Sequence, residues 1–182
     1  MAEIREILSR VWTRIVEFDV DRSFTCGPGQ TIAAEAIVLG EGWSLFTFDF
    51  KRDIAVFLHT PAGTDLSQAP FVYNAQFERA SHVALVGFDE FLAITEDLSD
   101  IQNLVQFFST GHCGSTLLHH VFNRVPQVWC VSEPITFNAL ALNSGGLDES
   151  LKLKLARGAL RLLARFPGAE SADRIVIKHF SQ

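Results

Sequence analysis

The sequence predicts an α/β protein in two parts: a helix with a small antiparallel sheet over residues 1–100, then a parallel strand–helix core over residues 101–182. Short runs of β-branched and aromatic residues, separated by turn residues, fill most of the first part. After residue 100 the rhythm changes to strand, helix, helix, strand. A corner of small and polar residues, 110–116, joins the first strand of the second part to its first helix.

The first part begins with a predicted amphipathic helix. Its apolar residues between positions 2 and 16 recur at helical intervals: Ile4, Ile7, Leu8, Val11, Trp12 and Ile15. Five later runs predict antiparallel strands joined by turns: TIAAEAIVLG, WSLFTFDF, DIAVFLHT, FVYNAQFERA and HVALVGF. Both faces of WSLFTFDF are apolar, so we expect the helix or the second part to cover one of them. The pattern of this first part predicts no chemistry.

The second part predicts alternating strands and helices. NLVQFFS (103–109) is typical of a buried strand, and a helix with one apolar face follows it and ends near Pro126. QVWCVS is a short extended piece, and residues 147–166 form a long amphipathic helix. RIVIKHF (174–180) is the second core strand. This order predicts a crossover between two parallel strands, with an open sheet edge.

Composition and charge disfavour several classes of protein. The chain of 182 residues is 48% hydrophobic, which is enough for a core, and its formal net charge of −6 argues against a general nucleic-acid-binding protein. The sequence shows no signal peptide and no stretch near the roughly 20 apolar residues that span a bilayer. Cys26, Cys113 and Cys130 form neither a zinc motif nor a disulfide framework. We expect a soluble, cytoplasmic protein that binds no nucleic acid and no metal.

The corner from Thr110 to Thr116 has the composition of an anion-binding loop. It follows the carboxyl end of a predicted strand and opens a helix, where free backbone N–H groups and the helix dipole favour an anion. Gly111 and Gly114 permit close approach of the backbone, and Ser115 and Thr116 add hydroxyl donors. The alternative is a tight strand-to-helix turn in which Ser115 caps the helix.

The corner departs from the nucleoside triphosphate-binding pattern GxxxxGK[ST]. With the second glycine of that pattern at Gly114, Ser109 replaces the first glycine and Ser115 replaces the lysine. Without that lysine, an ordinary ATPase or GTPase loses its main contact with the β- and γ-phosphates. The sequence therefore disfavours a nucleoside triphosphatase.

The same segment resembles the phosphate-binding loop of the sulfotransferase superfamily, whose pattern is P-[RK]-S-G-[ST]-T-L-L. The matching residues run from Gly111 to Leu118. Downstream, VPQVWCVSEP resembles a family stretch that ends in Glu-Pro, here Glu133-Pro134, and RIVIKHF resembles the next core strand. The resemblance covers roughly residues 103–182. It implies a P-loop-type core that binds 3′-phosphoadenosine 5′-phosphosulfate without a metal.

The resemblance also implies a role for each site residue. Six loop residues would hold the 5′-phosphosulfate: Gly111, His112, Cys113, Gly114, Ser115 and Thr116. Lys178 would stabilise negative charge on the bridging oxygen as the S–O bond breaks. Glu133 or His179 would be the general base that takes the proton of the acceptor. Each residue also has a structural alternative: Lys178 as a surface lysine, Glu133 as a helix cap before Pro134, and His179 as an exposed residue at a strand end.

Departures from the family pattern leave other functions open. His112 is a weaker, pH-dependent cation than the basic residue of the family, and Cys113 replaces a serine. The family segment that supplies an arginine and a serine for the 3′-phosphate has no counterpart here, so we interpret the chain as an N-terminal fragment or a degenerate relative. The expected reaction is sulfuryl transfer to the hydroxyl or amine of a small-molecule or carbohydrate acceptor. The alternatives are a non-catalytic nucleotide- or anion-binding protein and a phosphotransferase; Cys113 as a nucleophile lacks a fixed His-Asp partner set.

Overall fold

The computed structural model describes residues 1–12, 18–64, 66–110, 113–166, 169 and 171–180. These residues form an antiparallel sheet, a parallel sheet and helices that pack against them. The strands are β1 (Ala2–Arg10), β2 (Phe24–Cys26), β3 (Gln30–Ile32), β4 (Trp43–Asp49), β5 (Ile54–His59), β6 (His82–Gly87), β7 (Leu104–Phe107), β8 (Val128–Ser132) and β9 (Arg174–Lys178). The helices are α1 (Val20–Ser23), α2 (Ala34–Val38), α3 (Val72–Arg79), α4 (Phe88–Glu96), α5 (Ser115–Phe122), α6 (Ile135–Asn143) and α7 (Glu149–Leu163).

The antiparallel sheet has the order β2-β1-β6-β5-β4, and β3 also pairs with β1. Strand β5 lies between β4 and β6 in this sheet and pairs with both of them. The predicted strands WSLFTFDF, DIAVFLHT and HVALVGF are confirmed as β4, β5 and β6. Their side chains are buried on both faces, as the double apolar pattern of β4 indicates: Phe46, Phe48, Val56 and Phe57 are all at most 5% exposed.

The predicted N-terminal helix is wrong where the structure describes it, because residues 2–10 form strand β1. Residues 13–17 lie outside the described part of the chain. Strand β1 pairs with β6 on one side and with β2 and β3 on the other. Ala2 and Ile7 are buried, whereas Leu8 is 62% exposed. The hydrogen bonds offered by neighbouring strands therefore override a helical spacing of apolar residues, as tertiary context often does.

Two further predictions in the first part need correction. TIAAEAIVLG was predicted as one strand, but only β3 is extended there, and the alanine-rich remainder forms helix α2. FVYNAQFERA was also predicted as a strand and forms helix α3. Its buried residues recur at helical spacing and form one stripe that packs on the sheet. They include Val72, Tyr73, Gln76 and Phe77.

The parallel sheet has the order β7-β9-β8, so that β9 lies between the other two strands. The strands predicted at 103–109 and 174–180 are present as β7 and β9, and QVWCVS adds a third strand, β8, to the two expected. The prediction that the first of them is buried is wrong, since no residue of β7 is buried and Val105 is 40% exposed. Among the described residues β7 pairs with β9 alone, which leaves an open edge. Helix α5 turns Ser115 and His119 inward, while its apolar residues Leu117 and Val121 are 68% and 49% exposed.

The core contains residues from both predicted parts of the chain. One apolar cluster joins Phe57 and Phe91 to Leu155 and Leu162 of α7. A second cluster joins Leu66 and Val72 to residues of the parallel sheet, among them Trp129 and Ile175. The division near residue 100 stays a prediction, but the apolar side chains of the two parts pack together.

A search of the described helices finds none that is long and apolar enough to cross a membrane.

Candidate functional site

The site lies where the three parallel strands end together. Phe107 of β7 and Ser132 of β8 are both in register with Lys178 of β9. Two backbone bonds continue the pairing one residue further: the N–H of His179 donates to Phe107 O at 2.9 Å, and the N–H of Glu133 donates to Lys178 O at 2.7 Å. This register brings Glu133, Lys178 and His179 to the end of the sheet at which β7 also ends. In parallel sheets this end is where ligands commonly bind.

Helix α5 begins at a strand-to-helix corner built on a glycine. Gly114 is the N-cap, with φ 81° and ψ 16°, and the N–H of Leu117 donates to its carbonyl oxygen at 2.9 Å. A residue with a side chain is strained in this left-handed region, which explains the glycine. Ser115 is the first residue of the helix, so the alternative in which Ser115 caps the helix is wrong. Cys113, Gly114, Ser115 and Thr116 are described; Gly111 and His112 lie outside the described residues.

The corner favours negative charge at Cys113, whose thiol is exposed. Burial acts to raise the pKa of this thiol, but hydrogen bonds from the Ser115 backbone N–H and from neighbouring hydroxyl groups lower the pKa overall. These donors stabilise the thiolate in the same way that they would stabilise a bound oxyanion.

Glu133 and Lys178 form a buried ion pair at the strand ends. Lys178 Nζ donates to a carboxylate oxygen of Glu133 and, at 3.3 Å, to Ser132 Oγ. The side chains of Lys178 and Glu133 are only 1% and 6% exposed. The structural alternatives for both are therefore wrong, since Lys178 is not a surface residue and the N-cap of α6 is Pro134. The charges are unscreened by water, so each depends on the other.

Glu133 also has an unusual backbone conformation. Its φ is 56°, in the left-handed region that residues with a side chain seldom adopt. Such strain costs of order 1 kcal/mol or more, and it persists where surrounding contacts hold the backbone in place. Here the bond from the Glu133 N–H to Lys178 O and the side-chain ion pair hold it. Backbone strain of this kind clusters at functional sites, although the ion pair also explains it structurally.

The first half of the chain supplies one wall of the site. Ser132 Oγ donates to Pro70 O at 2.6 Å, and the Phe71 ring lies 5.7 Å from Lys178 Nζ, close enough for a cation–π contact. Tyr73 follows on α3, where burial and the charge of Glu133 both raise the pKa of its phenol. Sequence reasoning did not find this wall, because its residues are far from the strand ends along the chain. Phe71 and Tyr73 also belong to a run that the pattern predicts as a strand.

His179 turns away from the ion pair, toward β7. Its ring stacks on Phe108 with 4.4 Å between ring centroids, and Nε2 lies 3.2 Å from Gln106 Oε1. Burial lowers the pKa of His179 below its ordinary value of 6.5, so the imidazole is neutral at pH 7. His179 is half-buried rather than an exposed end residue. A neutral imidazole at this position can accept a proton.

A second histidine fixes the orientation of α5. His119 is fully buried, and its Nε2 lies 3.2 Å from Cys130 O and 3.1 Å from Asn123 Nδ2. Asn123 in turn bonds to the Cys130 backbone N–H and carbonyl oxygen. Burial and the charge of His120 lower the pKa of His119, which keeps its ring neutral. These bonds attach α5 to β8 and thereby position the corner.

Comparison of the chain with protein-family models, with curated proteins and with solved structures finds no match. Within the described part of the chain, no group of three or more His, Cys, Asp or Glu side chains could hold a metal ion.

Proposed function

We propose that the chain is a sulfotransferase-like protein that uses 3′-phosphoadenosine 5′-phosphosulfate. The observation that supports the proposal is the common end of the three parallel strands: Glu133, Lys178 and His179 lie there, and β7, which ends there too, precedes the glycine corner that opens α5. The sequence resemblance supplies the chemical class. The acceptor is a hydroxyl or amine of a small molecule or carbohydrate.

The corner supplies the anion contacts in this proposal. Residues Gly111 to Thr116 would hold the 5′-phosphosulfate, with backbone N–H groups and the hydroxyls of Ser115 and Thr116 as donors. The lowered pKa of Cys113 supports this role, because it reports donors that favour negative charge at the corner. His112 would add positive charge when it is protonated.

In the transfer step, the residues at the strand ends have different roles. The acceptor oxygen or nitrogen forms a bond to sulfur as the bond from sulfur to the phosphate bridging oxygen breaks, and a base takes the acceptor proton. His179 is the favoured base, since its imidazole is neutral and half-buried. Glu133 is the second candidate, but its carboxylate is occupied by Lys178. Lys178 would contact the bridging oxygen only if this pair opened.

The second candidate function is non-catalytic binding of a nucleotide or another anion at the same corner. The burial of Lys178 in its pair with Glu133 favours it, because a lysine that is 1% exposed does not reach a ligand directly. A phosphotransferase is the third candidate. It is disfavoured because Ser115 stands where nucleoside triphosphate-binding loops have a lysine. Binding and turnover therefore have to be measured separately.

Titration calorimetry with adenosine 3′,5′-bisphosphate and with ATP-Mg²⁺ tests the binding step. We expect the bisphosphate to bind more tightly, and we expect Gly114→Val to abolish its binding, because a β-branched residue is strained at φ 81°. Gly145→Ala is the matched control, since an added Cβ there meets open space. Tighter binding of ATP-Mg²⁺, or equal binding by the Gly114→Val variant, would contradict the proposed ligand.

Turnover is tested with ³⁵S-labelled phosphoadenosine phosphosulfate and a panel of phenol, alcohol, amine and sugar acceptors. Label transfer that is lost in His179→Ala but retained in His120→Ala supports an enzyme with His179 as base. Bisphosphate binding without label transfer to any acceptor supports the non-catalytic alternative.

A further inference from the structure

Strand β7 forms an open edge of the parallel sheet. Among the described residues it pairs only with β9, in a regular register from Leu104 to Phe107. The carbonyl oxygens of Asn103 and Phe107 accept hydrogen bonds from the β9 side, and successive residues of a strand point their backbone groups to alternate sides. The backbone N–H and C=O groups of Leu104 and Gln106 therefore point to the open edge, where no described strand pairs with them.

This edge lacks the features that protect a free strand. Natural edge strands are commonly blocked by charged side chains, by proline or by a covering element. Residues 101–123, which contain β7 and α5, include no lysine, arginine, aspartate, glutamate or proline, although 20% of the whole chain is charged. Val105, within β7, is 40% exposed. An uncharged, unblocked edge of this kind is suited to pairing with another strand.

One side of α5 extends the apolar surface beyond the edge. The ring of Phe122 lies edge-on to Phe107 of β7, with 6.5 Å between the ring centroids. Leu118 lies one helical turn before Phe122 and so on the same side, next to Leu117 and Val121. Leu117, Leu118 and Val121 are 68%, 42% and 49% exposed. We refer to the edge and this side of the helix as the β7–α5 surface, which consists of Val105, Phe107, Leu117, Leu118, Val121 and Phe122.

A second copy of the chain is complementary to this surface. A two-fold axis perpendicular to the sheet at Val105 makes the two β7 strands antiparallel and keeps both α5 helices on one face. Leu104 then pairs with Gln106 of the second copy, and each such pair exchanges both of its N–H···O bonds. Val105 meets its own counterpart, with about 4.5 Å between the Cα atoms. A charge at this axis would face a like charge, and residues 101–123 carry none.

We propose that the β7–α5 surface is the interface of a homodimer, in which the two β7 strands pair antiparallel and the three-stranded parallel sheets of both copies join into one continuous sheet. The backbone bonds set the register, and the exposed apolar residues of the two α5 helices face each other above the paired strands. A second copy supplies a neutral edge strand together with an apolar helix side, whereas a charged partner strand would gain no ion pair here. The proposal concerns assembly and does not depend on the function proposed above.

Sedimentation velocity over about 1–200 μM protein tests the assembly. We expect a reversible equilibrium between monomer and dimer, with a Kd of micromolar order. The dimer should persist at about 0.5 M NaCl, because the surface carries no charge and salt screens the repulsion between two copies of net charge −6. A monomer throughout this concentration range overturns the proposal, and so does a dimer that dissociates as salt is added.

Variants test the strand pairing and the helix side separately. Val105→Lys places two like charges at the axis, and Gln106→Pro removes an N–H that points to the open edge rather than to β9. Each should raise the Kd of the dimer at least about tenfold, and so should Leu117→Glu. Leu153→Glu is the matched control and should leave the Kd unchanged, because Leu153 is 69% exposed and Leu117 is 68% exposed. A dimer that is as stable in the three folded surface variants as in this control overturns the proposal.

Cross-linking tests the register and stays informative if Val105→Lys or Gln106→Pro does not fold. In a Cys113→Ser background, Val105→Cys should form an intermolecular disulfide under mild oxidation, because about 4.5 Å between Cα atoms is within disulfide range. Leu153→Cys in the same background measures the rate at which exposed thiols react by random collision. Equal rates of disulfide formation in the two variants overturn the proposed pairing of β7 with β7.

Discussion

Glu133 and Lys178 show how two charged residues can be buried at the ends of neighbouring strands. They are 45 residues apart in the chain, and the register of β8 with β9 brings their side chains together. Removing two charges from water costs several kcal/mol per ion, and their mutual attraction offsets this cost only while both are present. The pair therefore contributes little net stability as a unit, but each partner alone is a large liability.

A double-mutant cycle tests this dependence. We expect Glu133→Gln and Lys178→Met each to lower the free energy of unfolding by about 3–5 kcal/mol, because each leaves an uncompensated buried partner. The double variant should lose less than the sum of the two, as measured by urea denaturation. The exposed pair of Glu149 and Lys152 is the control, and Glu149→Gln should change stability by about 1 kcal/mol at most. Additive losses at Glu133 and Lys178 would show that the two charges are independent.

The buried His119 makes stability dependent on pH. Burial, then the charge of His120, lowers the pKa of His119 below its ordinary value of 6.5, so the unfolded chain takes up the proton at a higher pH than the folded protein. The stability that His119 contributes is therefore fully present above about pH 6.5 and is lost as the pH falls toward the folded pKa.

We expect His119→Gln to reduce the loss of stability between about pH 7.5 and 5.5 relative to the unmodified protein. Glutamine keeps an N–H donor for Cys130 O but does not titrate in this range. His120→Gln should reduce the pH dependence by less than His119→Gln does, because it removes the charge of His120 but leaves the burial that is the main cause of the lowered His119 pKa. Melting temperatures at the two pH values measure the effect, and identical pH dependence in the His119→Gln variant would exclude His119 as its source.

At the scale of elements, α5 depends on the corner that opens it. Gly114 permits the turn from β7 into the helix at φ 81°, and the bonds of His119 and Asn123 attach the helix to β8. The conformation of the corner and the position of the helix are thus determined by separate contacts. A substitution at Gly114 should strain the turn without removing the attachment of the helix.

We expect Gly114→Ala to lower the free energy of unfolding by about 1–2 kcal/mol, the cost of the left-handed conformation for a residue with a Cβ. No atom lies within 4 Å of that Cβ, so a steric clash does not contribute. At Gly145, where the added Cβ is equally free, Gly145→Ala should cost less than about 0.5 kcal/mol. Chemical denaturation measures both, and equal costs at the two glycines would contradict a strained corner.

At the scale of the whole molecule, helix α7 connects the late part of the chain to the antiparallel sheet. Leu155 is fully buried in the cluster that contains Phe57 and Phe91. Apolar packing across the two predicted parts means that neither buries its full apolar surface alone. The parts should therefore unfold together.

Leu155→Ala should lower the free energy of unfolding by about 2–5 kcal/mol, because it leaves a cavity in the shared cluster. Hydrogen exchange should accelerate in β5 and β6 as well as in α7, which distinguishes one cooperative unit from two. Leu153→Ala, at a position that is 69% exposed, should change stability by less than about 0.5 kcal/mol. Faster exchange confined to residues after 100 would indicate that the two parts unfold separately.

Local patterns determined much of the fold. Alternating or continuous apolar runs correctly predicted β4, β5, β6, β7 and β9, and helical periodicity predicted α5 and all of α7. The apolar residues of α5 are nevertheless exposed, so its periodicity did not predict which face is buried. These signals depend on neighbours in the chain and on the side-chain period of each element. The glycine at the start of α5 is also a local signal, since its need for a positive φ arises within the corner.

Tertiary contacts decided the rest. Residues 2–10 have a helical spacing of apolar side chains but form a strand, because strands pair with them on both sides. The aromatic run at 71–80 forms a helix because one stripe of its side chains packs on the sheet. Lys178 is buried and pairs with Glu133, whereas the sequence also allowed a surface lysine. Pro70 and Phe71 lie next to this pair. The sequence by itself determined most of the short strand segments and the position of the glycine corner that opens α5. Only the folded structure decided which distant charges and rings meet at the strand ends, because burial and pairing depend on contacts between residues that are far apart in the chain.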